Sequence, residues 1–264
     1  MNAALAVILL FFCLPSLNLH AGISPRTSEI KKIIDVSHSP LTTHCLMGNS
    51  YLNKGQTDEA ISEYRTMLEL DPNYPVAHNN LGAAYFCKGM IDEAISEYKK
   101  ALEQNLEFIE AHYNLALAYG NNGRLDEAIS EYRTVLELDP DYPEAHNNLG
   151  TIYYNIGMID EAISEYKKEL YQNSHFAEAR YNLGITYFSK GMIDEAISEY
   201  RAALETDPDC AEAHSNLAVA YYAKGSFDLA WKHVEIAKQL EDPPHPQFIE
   251  LLKKASQADR QDRP

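Results

Sequence analysis

"IDEAISEY", residues 91–98, returns letter for letter at 159–166 and 193–200, and TDEAISEY from Thr57 and LDEAISEY from Leu125 differ by one letter. An acidic octapeptide written five times is either repeated chemistry or repeated architecture. The spacing decides between them. Asp58, Asp92, Asp126, Asp160 and Asp194 are each 34 residues apart, and Asp228 in SFDLA extends the series. A fixed period of this length marks a repeat array. It divides the chain into six units: 41–74, 75–108, 109–142, 143–176, 177–210 and 211–244.

The aligned columns have physical meanings. Position 8 of each unit is Gly or Ala (Gly48, Gly82, Ala116, Gly150, Gly184, Ala218), which suits two helices in close approach. Position 11 is always Tyr, from Tyr51 to Tyr221. Position 15 is always Gly, from Gly55 to Gly225, the left-handed stop after a first helix. Position 20 is always Ala, and position 24 is Tyr in five units and Val234 in the last. Pro72, Pro140 and Pro208 close the odd units. Ala94, Ile95, Tyr98, Ala101 and Leu102 form one apolar helical stripe. Asp92 and Glu93 then open a second helix, where negative charge suits the exposed amides. Glu97 and Lys100 are expected as outward neighbours on its surface. Each unit reads as helix, Gly turn, helix.

The stretch AHNNLGAAYFCKGMIDEAISEYKKALE, Ala77 to Glu103, resembles a tetratricopeptide repeat. The likeness covers 41 to about 244 and is in phase six times. It departs from the family pattern in three places. His or Arg180 stands near the start of each unit where an aromatic is usual, Glu169 occupies a normally small column, and Leu106, Ser174 and Asp242 replace Pro. The resemblance implies an all-α, right-handed α-solenoid of six helix-turn-helix units with short capping helices. A further alternation, Arg65, Arg133 and Arg201 in odd units against Lys99-Lys100 and Lys167-Lys168 in even ones, suggests growth by a two-unit block.

The ends are read separately. Residues 1–21 form an uncharged, apolar leader, continuous from Ala3 to Leu14 and closing on Ala21. A cleaved secretory signal is the first reading, an uncleaved membrane anchor the second, and a buried N-terminal helix the third. Either of the first two places the array outside the cytoplasm (periplasmic or extracellular) or tethered to a membrane. Residues 22–40 read as a linker with a partial capping helix, Ser28 to Val36, whose Ile30, Ile33 and Ile34 fall in the columns of Tyr64, Met67 and Leu68. At the other end, 245–256 is expected as a capping helix with Phe248, Leu251 and Leu252 on its packed side. Residues 257–264 are expected as a disordered tail.

Composition and motifs exclude several functions. With a net charge of −17 and no basic run longer than two, the chain lacks the face that a nucleic acid requires. Cys45, Cys87 and Cys210 lack zinc spacing and read as small buried hydrophobes. The column His44, His78, His112, His146 and His214 reads as rings packed against the preceding unit, in preference to a metal ladder or pH switch. Adjacent carboxylates on a helix point apart, so the octapeptide is read as a solvated helix start and not a catalytic pair. No nucleophile elbow or phosphate loop is present, so no enzyme, cofactor or metal is expected.

By the resemblance, first helices line the concave groove with positions 5, 6, 9, 12 and 13. Position 6 is a column of Asn: Asn80, Asn114, Asn148, Asn182 and Asn216. It is read either as a ladder holding the backbone of an extended peptide or as a bond within its own repeat. Asn49, Phe86, Tyr113, Tyr154, Tyr181, Phe188 and Tyr222 complete the candidate surface. Chaperone-tail grips in this family need Lys and Arg where this chain has Cys45, Glu110 and Asn114, which removes that function. The expected role is a non-enzymatic scaffold binding a protein or peptide. Alternatives are a self-assembling structural array and a metal-binding or enzyme-accessory protein.

Overall fold

A computed structural model describes residues 39–262. The expected leader and N-terminal cap lie outside them. Thirteen helices are present among the described residues. The first six are α1 (Pro40–Asn53), α2 (Thr57–Leu70), α3 (Pro75–Cys87), α4 (Ile91–Gln104), α5 (Ile109–Asn121) and α6 (Leu125–Leu138). They are followed by α7 (Ala145–Asn155), α8 (Ile159–Gln172), α9 (Ala177–Ser189), α10 (Ile193–Thr206), α11 (Ala211–Ala223), α12 (Phe227–Gln239) and α13 (Pro246–Asp262). The first twelve pair into six helix-turn-helix repeats, an all-α solenoid. The chain forms two compact units divided between Pro140 and Asp141, with α1–α6 in the first and α7–α13 in the second.

Each repeat is built by two contacts that the sequence columns supply. At the turn, all six position-15 glycines have φ between +72° and +82°. The following N–H reaches back to the position-11 carbonyl, as in Gln56 to Tyr51 and Met90 to Tyr85. A residue with a Cβ is strained in that backbone. Across the pair, position 8 faces the ring at position 24. A Cβ added at Gly82 would stand 2.7 Å from Cε1 of Tyr98, and one at Gly184 2.6 Å from the Tyr200 ring. Tyr64, Tyr98, Tyr132, Tyr166 and Tyr200 are among the most completely buried side chains. The Gly column therefore makes room for a tyrosine core.

Several expectations are corrected here. Glu97 faces inward and is buried, accepting from His78 (2.7 Å) as well as from Lys100 (2.7 Å), because a carboxylate is the acceptor its His needs. Cys87 is exposed and Cys210 half-buried, so the buried-hydrophobe reading fits neither. Helix α13 runs to Asp262, through most of the expected tail, because Gln257, Ala258 and Arg260 are good helix formers. Its packed side is Phe248, Ile249 and Leu252, set against Ala218, Ala230, Val234 and Trp231, while Leu251 is exposed. Trp231 Nε1 donates to Ser256 Oγ at 3.2 Å and ties the cap to α12.

Candidate interaction groove

Within each compact unit the first helices of neighbouring repeats touch: α3 with α5, and α9 with both α7 and α11. Second helices approach one another less closely. Each stack therefore curves toward its first helices, which form the inner face.

The Asn column stitches repeats together. Asn114 Nδ2 donates to Asn79 Oδ1 at 3.0 Å, and Asn182 Nδ2 to Asn147 Oδ1 at 3.1 Å. Asn216 Nδ2 donates to the Tyr181 hydroxyl at 2.9 Å, and Asn80 Nδ2 points at Cys45 Sγ at 3.4 Å. In each case position 6 of one repeat donates to position 5 of the repeat before it, 35 residues back. This is a third use of the amide, beyond a bound peptide and the repeat's own backbone. Asn148 is half-buried in the same column. The partner column, position 5, runs Cys45, Asn79, Tyr113, Asn147, Tyr181 and Ser215, so no single letter marks it in the sequence.

The remaining candidates divide by burial. Asn49 is buried and accepts the Tyr64 hydroxyl at 2.6 Å, Asn80 is buried beside Asn79, and Tyr113 is buried edge-on to Tyr132. These three stand behind the surface. Phe86, Tyr154, Phe188 and Tyr222 at position 12 are half-buried, as are Ala83, Leu117, Ile185 and Val219 at position 9. Position 13 is exposed throughout. Tyr181 is half-buried against Tyr200, and burial raises its hydroxyl pKa, as do nearby Cys210 and Glu212. Tyr222 packs on Phe227 and on Phe248 of the cap, which marks the end of the inner face. Apart from buried Asn49, the sequence-variable positions 9 and 12 are thus the part-open ones, while the Gly or Ala at position 8 and the Ala at position 20 are interior.

Other joints were not read from the sequence. The aspartate at position 18 bonds the side chain at position 14 of the next repeat: Asp58 with Lys88, Asp92 with Asn122 (3.0 Å), Asp160 with Lys190 and Asp194 with Lys224. Position 25 reaches the tyrosine at position 11 of the next repeat. Arg65 donates to the Tyr85 hydroxyl (2.8 Å), Lys99 stands over Tyr119 and Lys167 over Tyr187. Arg65 and the first Lys of each Lys-Lys pair therefore bind the next repeat, while Lys100 and Lys168 pair with Glu97 and Glu165 of their own helices. The histidines bond their own repeat through Nδ1, and Nε2 of His78, His112 and His214 reaches the Pro72, Leu106 and Pro208 carbonyls at the end of the preceding one, each at 3.0 Å. Their Nδ1 atoms meet Glu63, Glu97, Glu131 and Glu165 at 2.6–2.7 Å.

Glu169 has a distinct effect. Buried in a column that is otherwise Met67, Ala101, Val135, Ala203 and Ala237, it accepts the Asn147 backbone N–H at 3.2 Å. Burial raises its pKa, while bonds from the Asn147 and Glu144 backbones oppose the rise. Helix α7 correspondingly begins at Ala145, with Glu144 at φ 63°, whereas α9 and α11 begin at position 1 of their units. The lost turn leaves an acidic cleft between Asp141, Glu144, Glu169, Gln172 and Phe176. Among the described residues no group of three or more His, Cys, Asp or Glu converges to hold a metal, and no helix is long and apolar enough to cross a membrane.

Comparison with known proteins gives concordant results. A family model described as TPR repeat matches residues 48–89, 84–123, 121–157 and 184–225. One described as tetratricopeptide repeat matches 143–173. The crystal structure of MamA is 31% identical over 63% of this chain and 97% of its own, with a TM-score of 0.58. YrrB, described as a TPR protein with an unusual peptide-binding site, is 23% identical over 75% of this chain and 97% of its own (TM-score 0.58). PilF of Pseudomonas aeruginosa is 20% identical over 76% and 91% (TM-score 0.69). The last two likenesses show the fold alone. No curated protein sequence matches the chain.

Proposed function

The chain belongs to the tetratricopeptide-repeat family, and from that premise we propose that it is a non-enzymatic scaffold holding an extended segment of another protein along its first helices. The observation that carries this reading is the distribution of variation. Columns 8, 11, 15 and 20 barely change and build the interior or the turn. Columns 9 and 12 change from repeat to repeat, remain part-exposed apart from buried Asn49, and present mainly aliphatic and aromatic side chains on the inner face. Aromatic anchors with polar neighbours are the usual centre of a protein interface. The peptide-binding site in YrrB's description supports the same reading.

The test uses Tyr154→Ala with Phe188→Ala. Both side chains are half-buried on the inner face, and the Asn stitching does not involve them. The expected result is loss of partners captured from native cells, at least tenfold, with helicity unchanged. Partners retained at full yield would exclude the inner face. The triple change of Asn114, Asn148 and Asn182 to Ala is less discriminating, because Asn114 and Asn182 also join repeats. An exported or membrane-tethered location is part of the proposal and rests on the apolar run Ala3 to Leu14. Protection of the array from protease in intact cells, lost on permeabilising the envelope, would support it. Release in the soluble cytoplasmic fraction would not.

A further inference from the structure

The inner face of the second compact unit carries an unbalanced charge. Among its described residues, first helices α7, α9 and α11 contain one Lys or Arg, Arg180. That guanidinium is already paired: Nη1 donates to Glu199 of its own repeat at 2.9 Å and Nε to the Ser174 carbonyl at the end of the preceding one at 3.0 Å. Lys190 and Lys224 cap the helix ends and are ion-paired to Asp160 and Asp194. The other Lys and Arg among this unit's described residues lie on second helices or on α13. Opposite charge is abundant. Glu178 and Glu212, at position 2 of consecutive repeats, are exposed at the rim of the half-buried apolar columns. Glu178 is fixed there by Asn147 Nδ2, which donates to it at 3.2 Å, and Asn147 in turn accepts from Asn182. Glu212 accepts only a long contact from the Cys210 thiol, 3.7 Å. Asp207 and Asp209 in the connecting loop add to the same sign.

Resting on the groove reading above, we infer that the occupant is a cationic peptide segment, with Lys or Arg interleaved with apolar side chains. The apolar residues enter between Tyr154, Ile185, Phe188 and Val219, and the basic ones meet Glu178 and Glu212. The carboxylates do not make the site. They set the sign of what the apolar groove accepts, by charge complementarity. With −17 overall, the chain also steers cations toward itself and repels acidic segments.

The experiment measures binding of two fluorescent synthetic peptides to the full chain. They share length and apolar residues, and one has lysines where the other has glutamates. The Lys peptide is expected to bind at least tenfold more tightly, and less so as NaCl rises from about 0.05 to about 0.3 M. Glu178→Gln and Glu212→Gln should each weaken it by about two- to fivefold. Neutralising Glu161 and Glu195, exposed on the second helices, should change nothing. Equal weakening by the outer pair would mean diffuse attraction and overturn the assignment. Equal affinity for the Glu peptide, with Phe188→Ala weakening both, would overturn the charge inference and leave the groove reading standing. If Phe188→Ala with Tyr154→Ala weakened neither peptide, the groove reading itself would fail.

Discussion

The position-4 slot of the second, third and fifth repeats offers two acceptors. His112 meets Glu131 through Nδ1 at 2.6 Å and the Leu106 carbonyl through Nε2 at 3.0 Å, and His78 makes the same pair with Glu97 and Pro72. Arg180, the exception in the column, places two N–H donors on the equivalent atoms. At His112 two facing acceptors favour the ring with a proton on each nitrogen. For His112 burial opposes the charge, but Glu131 and the Leu106 carbonyl hold its pKa above the usual histidine value. Its contribution to stability is therefore complete below the unfolded pKa and lost as pH rises through the folded one. His112→Arg keeps both donors at any pH, so it should lose less stability than the parent between about pH 6 and about pH 8, measured by urea midpoint. In the sixth repeat the acceptor is replaced. His214 Nδ1 faces His233 Nδ1 at 2.9 Å, and burial, His214, Lys232 and Arg201 push His233 down to about 4. There the unfolded chain takes up a proton that the folded one refuses, so stability falls as pH drops from the usual histidine range toward that value. His233→Glu restores the common pair and should raise the melting temperature at about pH 5, as followed by calorimetry.

At the scale of elements, helix pairing was legible and helix joining was not. The glycine at position 15, the Gly or Ala at position 8 and the tyrosine at position 24 are local or intra-repeat requirements, and their period displays them directly. Joints between repeats use side chains 20, 30 and 35 residues apart, in columns that tolerate several chemistries. Lys or Asn answers the aspartate at position 18, and Arg or Lys answers the tyrosine at position 11. No single letter marks such a column, so the Asn ladder was visible while its partner was not. Glu169 shows the opposite case, a visible departure whose effect required coordinates. Its carboxylate takes backbone N–H groups that would otherwise begin α7. Glu169→Ala, matching Ala101 and Ala203, should add a turn to α7 and stabilise by about 1–3 kcal/mol, since replacing a buried charge by a fitting apolar group often stabilises. Urea denaturation with hydrogen exchange at residues 143–147 would report both effects. Gly184→Leu belongs to the same scale. With the Cβ already at 2.6 Å from Tyr200, the pair α9–α10 should lose about 3 kcal/mol.

For the whole molecule, the invariant positions explain why it folds and the variable ones what it binds. Among the described residues no buried side-chain nitrogen or oxygen lacks a partner. The buried polar atoms are therefore internally satisfied, and an occupant has mainly apolar surface and rim charge to use. That apolar surface is the half-buried row at positions 9 and 12, which the octapeptide IDEAISEY does not reach. The most direct measurement places a photoreactive phenylalanine at Phe188 on the inner face, or at exposed Ser198 on second helix α10, and compares cross-links in living cells. A partner captured from Phe188 and absent from Ser198 is the result expected. Capture from Ser198 with none from Phe188 would contradict an inner-face scaffold.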